Sequence, residues 1–319
     1  MATASIAKVI TALTVLEKKP LQRGETGPVL TMTQADVDFY AAETIRNGSA
    51  VPVYVGQQLT EYQLLQAMLV PSANNIANSL AVWAFGDLNS YTDYANNYVA
   101  QHGLTHTHIG SDASGYDPST ISTAEDLAQL GLIAVKNPVL LEIAGQRSVI
   151  LPGIGTFYNY NSALGISGID GLKTGNSEQN PGALLFSAAF GVAGSPLRLT
   201  GAVLGAQSLS EAISQAEMVV NGAKAGFESV TYLRTGQAVG KVETAWHSDV
   251  AITAKSDLRI VRWKESPIVV RKTLHSPKVG AVGDVGTISL RTGDVKATTA
   301  VAITQPIQAP SFWWRLTRH

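Results

Sequence analysis

The chain changes character near residue 221. Upstream, apolar side chains recur at helical spacing; downstream they come in short runs cut by Gly, Pro, Asp and Ser. Charge changes sign at the same place: residues 1–221 carry 9 Lys+Arg against 17 Asp+Glu, and residues 222–319 carry 14 against 7. The two imbalances, net −8 and net +7, nearly cancel to an overall −1. Such a break predicts two domains, each long enough to bury its own core. The boundary falls in residues 215–225, through Asn221-Gly222, where a turn is cheap.

Helices are expected over residues 5–17, 33–47, 60–69, 74–85, 90–101 and 207–221. In the first, Ile6, Val9, Ile10, Leu13 and Leu16 share a face. Thr60 reads as an N-cap, and Ser122 or Thr123 caps a further helix running through residue 135. Strands are expected at 148–150, 184–190 and 197–204. The second half offers strands at 230–233, 238–244, 249–253, 258–261, 268–273 and 287–290, a small β-sandwich or barrel-like module.

The 319 residues contain no cysteine, which removes thiol catalysis, disulfides and cysteine-held metal. No uninterrupted apolar run approaches the ~18 residues of a membrane-spanning helix. Nothing at the start reads as a signal peptide, since Lys8 sits where the apolar core would be. His102, His106 and His108, with Asp112 following, have a spacing compatible with a metal, but Gly103-Leu104 breaks the segment, and a surface stretch is the expectation. Arg147 reads as structural, and Asp170, near enough to Lys173 to tune it, is expected rather to close a turn.

Three short motifs carry candidate chemistry. In Ser5-Ile6-Ala7-Lys8, serine and lysine share a helix face. A serine hydroxyl needs a base within reach, and a lysine serves if burial lowers its pKa; alone, the pattern also arises by chance. Ser72-Ala73-Asn74 follows Leu69-Val70-Pro71 at a helix entry. It is either an N-cap or a loop aiming the Ser72 hydroxyl and the Asn74 amide into a cleft. Lys173-Thr174-Gly175 is either a hairpin turn or a cleft-edge strand. In the second case Lys173 and Thr174 bind a carboxylate while Gly175 admits close backbone approach.

Taken in order, 67 residues between the serines and 101 from Ser72 to Lys173, these motifs resemble those of penicillin-recognising serine enzymes. In detail the chain resembles the low-molecular-mass D-alanyl-D-alanine carboxypeptidases, the group containing penicillin-binding proteins 5 and 6. Residues 1–12 look like that family's nucleophile helix, 56–78 like its second motif, 159–161 and 168–175 like its third, and 198–205 like the following strand. The resemblance implies an α/β penicillin-binding/serine β-lactamase-like transpeptidase fold, an antiparallel sheet flanked by helices, with a smaller all-β C-terminal domain. The expected divisions are 1–217, 222–305 and a tail at 306–319.

It also implies roles. Ser5 would attack the penultimate D-alanine carbonyl, Lys8 would take its proton, and Ser72, assisted by Asn74, would relay it to the departing D-alanine. Lys173, Thr174 and Gly175 would hold the terminal carboxylate, and the N–H groups of Ser5 and Ser177 would form the oxyanion hole. No cofactor or metal is implied. The implied partners are peptidoglycan stems ending in D-Ala-D-Ala and β-lactams as covalent inhibitors, in the cell envelope outside the cytoplasm, with no nucleic acid.

Two departures stand out. Family members carry a helix and strands before the nucleophile helix, so a chain starting four residues before Ser5 is expected to leave a sheet edge unpaired. The family arginine that helps hold the carboxylate is here Ala212, so Lys173 or another cation must compensate. Rival readings are a β-lactamase, a DD-endopeptidase and a non-catalytic peptidoglycan binder. The tail, with Trp313, Trp314 and Arg315, suits either a membrane interface or packing back on the β-domain.

Overall fold

In the computed structural model, which describes residues 1–317, a 3₁₀ turn over Ala4–Ala7 runs into helix α1 (Lys8–Lys18). Every side chain from Lys8 to Leu16 is buried, so over those nine residues α1 is a central helix without a solvent face, and only Glu17 and Lys18 at its end are exposed. Its polar residues are satisfied internally: Thr11 Oγ1 donates to Ala113 O at 2.6 Å and pairs with the Tyr91 hydroxyl at 2.7 Å. The chain continues through β1 (Val29–Thr31), α2 (Gln34–Ile45), β2 (Gln58–Thr60), α3 (Glu61–Leu69), α4 (Asn74–Phe85), α5 (Leu88–Gln101), α6 (Ala124–Ala134) and α7 (Pro138–Ala144). Thr60 caps α3 in a reciprocal box with Gln63, and Thr123 rather than Ser122 caps α6. Helix α7, which sequence periodicity did not reveal, starts at an Asn137 cap with Pro138 in the first turn.

A hairpin of β3 (Ser148–Leu151) and β4 (Gly155–Tyr158) precedes the sheet of β5 (Ile169–Gly175), β6 (Gly182–Val192) and β7 (Ser195–Ala206). The order is β5-β6-β7. Strand β5 runs antiparallel to β6, with Lys173 opposite Leu185 and Thr174 opposite Leu184. Strands β6 and β7 are joined through Ala193 and Gly194, both at positive φ (49° and 83°), the twist a two-residue hairpin prefers. Among the described residues this sheet has three strands, with β5 and β7 at its edges. Helices α3, α4, α5 and α6 pack around α1, and β5 lies against α1 and the Ala4–Ala7 turn. The result is an α/β architecture, a sheet with flanking helices.

After α8 (Leu209–Gly226) come β8 (Phe227–Leu233), β9 (Ala238–Val242), β10 (Val250–Ala254), β11 (Leu258–Trp263), β12 (Val269–Leu274), β13 (Gly283–Thr292), β14 (Val295–Ile303) and the short α9 (Phe312–Leu316). A five-stranded sheet ordered β12-β13-β14-β10-β9 and a β8–β11 ribbon enclose a core including Leu233, Ile252, Ile260, Leu290 and Val301. Strand β14 went unread in the sequence because its Ala and Thr residues lack bulk at the alternating positions. By compactness the chain forms two units, residues 1–190 with 197–222, and residues 191–196 with 223–319.

Among the described residues no single helix is long and apolar enough to cross a membrane. In the tail, Trp314 stacks edge-on to Trp246 at 5.5 Å, while Phe312 and Trp313 are exposed. Arg318 and His319 lie outside the described residues.

Candidate active site

Ser5 sits in the 3₁₀ turn and Lys8 at the first position of α1, so the local fold alone brings them together. Lys8 Nζ donates to Ser5 Oγ at 2.8 Å, to Asn74 Oδ1 at 2.7 Å and to Ser114 O at 3.1 Å. The lysine is fully buried, and burial pulls its pKa from 10.5 down to about 7, against the opposing pull of Asp112 and Glu43. An amine of that pKa is substantially neutral near pH 7 and is able to accept a proton.

Asn74 opens α4, and its backbone N–H donates to Ser49 O at 2.7 Å. The preceding Ser72 is not the N-cap; that position belongs to Ala73. Ser72 instead holds φ at +65°, a left-handed conformation uncommon for a residue with a Cβ. Ser72 lines the cleft, its hydroxyl makes no hydrogen bond among the described residues, and none of the three Lys8 bonds goes to it.

Lys173 and Thr174 lie on β5, with Lys173 buried. Lys173 Nζ donates to Thr174 O at 3.2 Å, and both burial and the charge of Lys8 depress its pKa well below 10.5. Gly175 is a place of close approach: a Cβ there would stand 2.8 Å from Thr3 O. Ser177 lines the cleft, but its N–H donates to Asn180 O at 2.9 Å, so the donor expected there is engaged in a turn. The N–H of Asn176, also lining the cleft, has no partner among the described residues. Buried Asn180 fixes this turn, donating to Ala2 O at 2.8 Å and accepting from Gly205 N at 3.0 Å.

The loop after α5 closes the site. One Asp112 carboxylate gathers the N–H groups of Ser114, Gly115, Tyr116 and Asp117, which presents Ser114 O to Lys8. Gly115, at φ +76°, leaves no space for a Cβ, which would meet Ala4 O at 2.2 Å. These walls enclose a cleft of about 530 Å³ lined by Ser5, Ser72, Asn74, Thr174, Asn176 and Arg46, among others.

Other candidates lie elsewhere. Asp170 is not in a turn: it is on β5, accepting from Ser187 Oγ at 2.5 Å and paired with Arg198 at 2.7 Å. Arg147 donates to Leu164 O. His102 stacks on Tyr98 and His106 stands 3.8 Å from Asp126; among the described residues no group of three metal-binding side chains converges. Ala212 is buried in the hydrophobic cluster that also holds Leu184 and Phe186. The sequence reading passed over Glu43 and Arg46, both on or just after α2. Glu43 is the one buried side chain of that helix, and a mixed surface-type pattern gave no hint of it.

Fold and site together define a penicillin-binding/transpeptidase-like architecture. A family model described as D-alanyl-D-alanine carboxypeptidase matches residues 1–208, and the chain belongs to that family. It is 29% identical over 262 residues to the D-alanyl-D-alanine carboxypeptidase DacD of Salmonella typhimurium, covering 75% of this chain and 65% of that protein. The chain spans about half to two thirds of the length of such curated relatives. Penicillin binding protein 5 from Haemophilus influenzae shares the fold, with a TM-score of 0.65 at 20% identity over 97% of this chain and 91% of that one. The Streptomyces K15 DD-transpeptidase matches with a TM-score of 0.62 and 25% identity over 70% and 88%.

Proposed function

We propose that this chain is a serine-type DD-carboxypeptidase that removes the terminal D-alanine from peptidoglycan stem peptides through an acyl-enzyme on Ser5. The carrying observation is the 2.8 Å contact between Ser5 Oγ and the buried amine of Lys8. In this reading neutral Lys8 takes the Ser5 proton as the Oγ–carbonyl bond forms. The bond to the terminal D-alanine nitrogen then breaks, and that nitrogen receives the proton by way of the open Ser72 hydroxyl. Water, deprotonated by Lys8, releases the shortened peptide and frees Ser5.

Lys173 and Thr174 are assigned to the substrate carboxylate, with Gly175 allowing the close approach. The oxyanion falls to the N–H of Ser5 and the unengaged N–H of Asn176, with Ser177 closing the adjoining turn. Ala212 supplies no cation, so Lys173 carries the carboxylate. Such a substrate places the enzyme in the cell envelope, outside the cytoplasm. β-Lactams, which imitate the scissile amide, acylate the same serine. The exposed Phe312 and Trp313 suit peripheral contact with a membrane's outer face.

Intact mass after incubation with penicillin tests the acyl-enzyme: one adduct per wild-type chain and none on Ser5→Ala is the expected result. Release of D-alanine from a diacetylated Lys-D-Ala-D-Ala peptide then identifies the carboxypeptidase. Adduct without release sinks that assignment in favour of a penicillin-binding protein without hydrolytic turnover, and rapid turnover of a chromogenic cephalosporin would instead point to a β-lactamase.

A further inference from the structure

Behind the serine and lysine runs a chain of hydrogen bonds that ends at the cleft rim. Asn74 Oδ1 accepts from Lys8, and Asn74 Nδ2 donates to Glu43 Oε2 at 2.9 Å. Glu43 is 1% exposed. Both its oxygens are taken, since Arg46 Nε donates to Oε2 at 2.9 Å and the Arg46 terminal nitrogen to Oε1. The Arg46 guanidinium carbon in turn lies over the Tyr116 ring, 3.7 Å from its centroid, and Arg46 lines the cleft. Room for the carboxylate depends on Gly48, where a Cβ would stand 2.1 Å from Glu43 Oε2.

An amide has two chemically different ends, and nothing in its own shape decides which faces the lysine. A carboxylate accepts only, so it admits just the Nδ2 end. An ionised, buried acceptor makes that choice strong. We propose that Glu43 is a positioning residue: with Arg46 as counter-ion, it holds the Asn74 amide with Oδ1 on Lys8 and so keeps the Lys8 amine aimed at Ser5. The proposal rests on the acyl-transfer reading for its consequence, though not for the geometry. It does not make Glu43 a second base, because its oxygens have no free approach to Ser5.

The test compares wild type, Glu43→Ala and Glu43→Gln by two readouts. The first is the side-chain amide signal of Asn74 in ¹⁵N-asparagine-labelled protein, assigned by its loss in Asn74→Asp. The second is the rate of acylation by penicillin against pH. Glu43→Ala is expected to shift and broaden the Asn74 signal and to slow acylation about tenfold or more. Glu43→Gln keeps an acceptor oxygen, so it restores the signal and most of the rate.

The charge facing Lys8 comes from Glu43, Asp112 and Arg46, with Lys173 coupled to it. Loss of the Glu43 charge therefore moves the acidic limb of the Glu43→Gln profile to lower pH. An unchanged Asn74 signal in folded Glu43→Ala overturns the proposal, as does an unmoved limb in Glu43→Gln. If Glu43→Ala fails to fold, the Glu43→Gln limb decides alone. If wild type forms no penicillin adduct, the acyl-transfer reading fails, and the Asn74 signal still decides whether Glu43 sets the amide.

Discussion

Lys8 and Asn74, 66 residues apart, meet at 2.7 Å between Nζ and Oδ1 inside the protein. The contact joins the start of the central helix to the start of α4, and it meets the amine with a neutral acceptor. Among the described residues no carboxylate touches the amine, so burial outweighs attraction and its pKa falls to about 7. A lysine salt-bridged at this point would stay protonated and be useless as a base.

Lys8→Met is expected to slow penicillin acylation about 10²- to 10⁴-fold, the usual worth of a positioned base. Stopped-flow or mass-resolved acylation rates check this. A loss below tenfold would assign the proton transfer to another group.

The same lysine ties stability to pH. Unfolded, its amine binds a proton up to pH 10.5; folded, it does so only up to about 7. Between those values the unfolded state holds more protons, so raising the pH favours the fold by about 1.4 kcal/mol per unit from this group. Denaturant melts at pH 7.5 and 9.5 should show that increment in wild type and its loss in Lys8→Met. Equal slopes in the two proteins would contradict the buried, depressed amine.

Lys173 is depressed by burial and by Lys8, yet its assigned task is to hold a carboxylate. A bound anion favours its charged form, so ligand binding should take up a proton. Calorimetry of non-covalent penicillin binding to Ser5→Ala, in two buffers of different ionisation heat, measures this. Proton uptake on binding, absent when Lys173→Met is added, is expected, with affinity falling as pH rises. Binding heat that is independent of buffer would count against it.

Ser72 at φ +65° carries a backbone cost of about 1–2 kcal/mol that glycine avoids. Ser72→Gly should therefore be as stable as wild type or better by up to about 1 kcal/mol, once the extra freedom of the unfolded chain is deducted. Its D-alanine release should fall severely. A large drop in melting temperature would show that the strain is not where the angle places it.

Gly115→Ala meets backbone, the carbonyl of Ala4, at 2.2 Å and also a positive φ. A cost of about 2 kcal/mol or more follows, with slower acylation because the displaced loop carries Ser114 O away from Lys8. An unaffected acylation rate would free Ser114 of any part in the site.

Much of this arrangement was legible in the residues. Ile6, Val9, Ile10 and Leu13 announce the central helix α1, and Thr60 and Thr123 mark their helix starts by side-chain chemistry that acts within three residues. The three motifs are readable because each is local. What escaped was set by tertiary contact. Glu43 lies in a helix whose remaining residues are partly or fully exposed, and only the fold reveals that this one carboxylate turns inward. Asp170 looked like a turn former because its strand partners, Ser187 and Arg198, are 17 and 28 residues away. The choice between Asn176 and Ser177 as a free donor depends on a four-residue turn pinned by Asn180, which no periodicity encodes.

Because α1 has no exposed face over its first nine residues, its backbone amides have no local route to solvent. Their hydrogen exchange should track global opening of this unit, whereas β1, α2 and the loop at 112–117 exchange by smaller excursions. On the proposed acyl-transfer reading, Ser5 keeps its Lys8 neighbour until this unit itself opens, and a penicillin-labelling assay on partly denatured protein would double as a count of intact molecules.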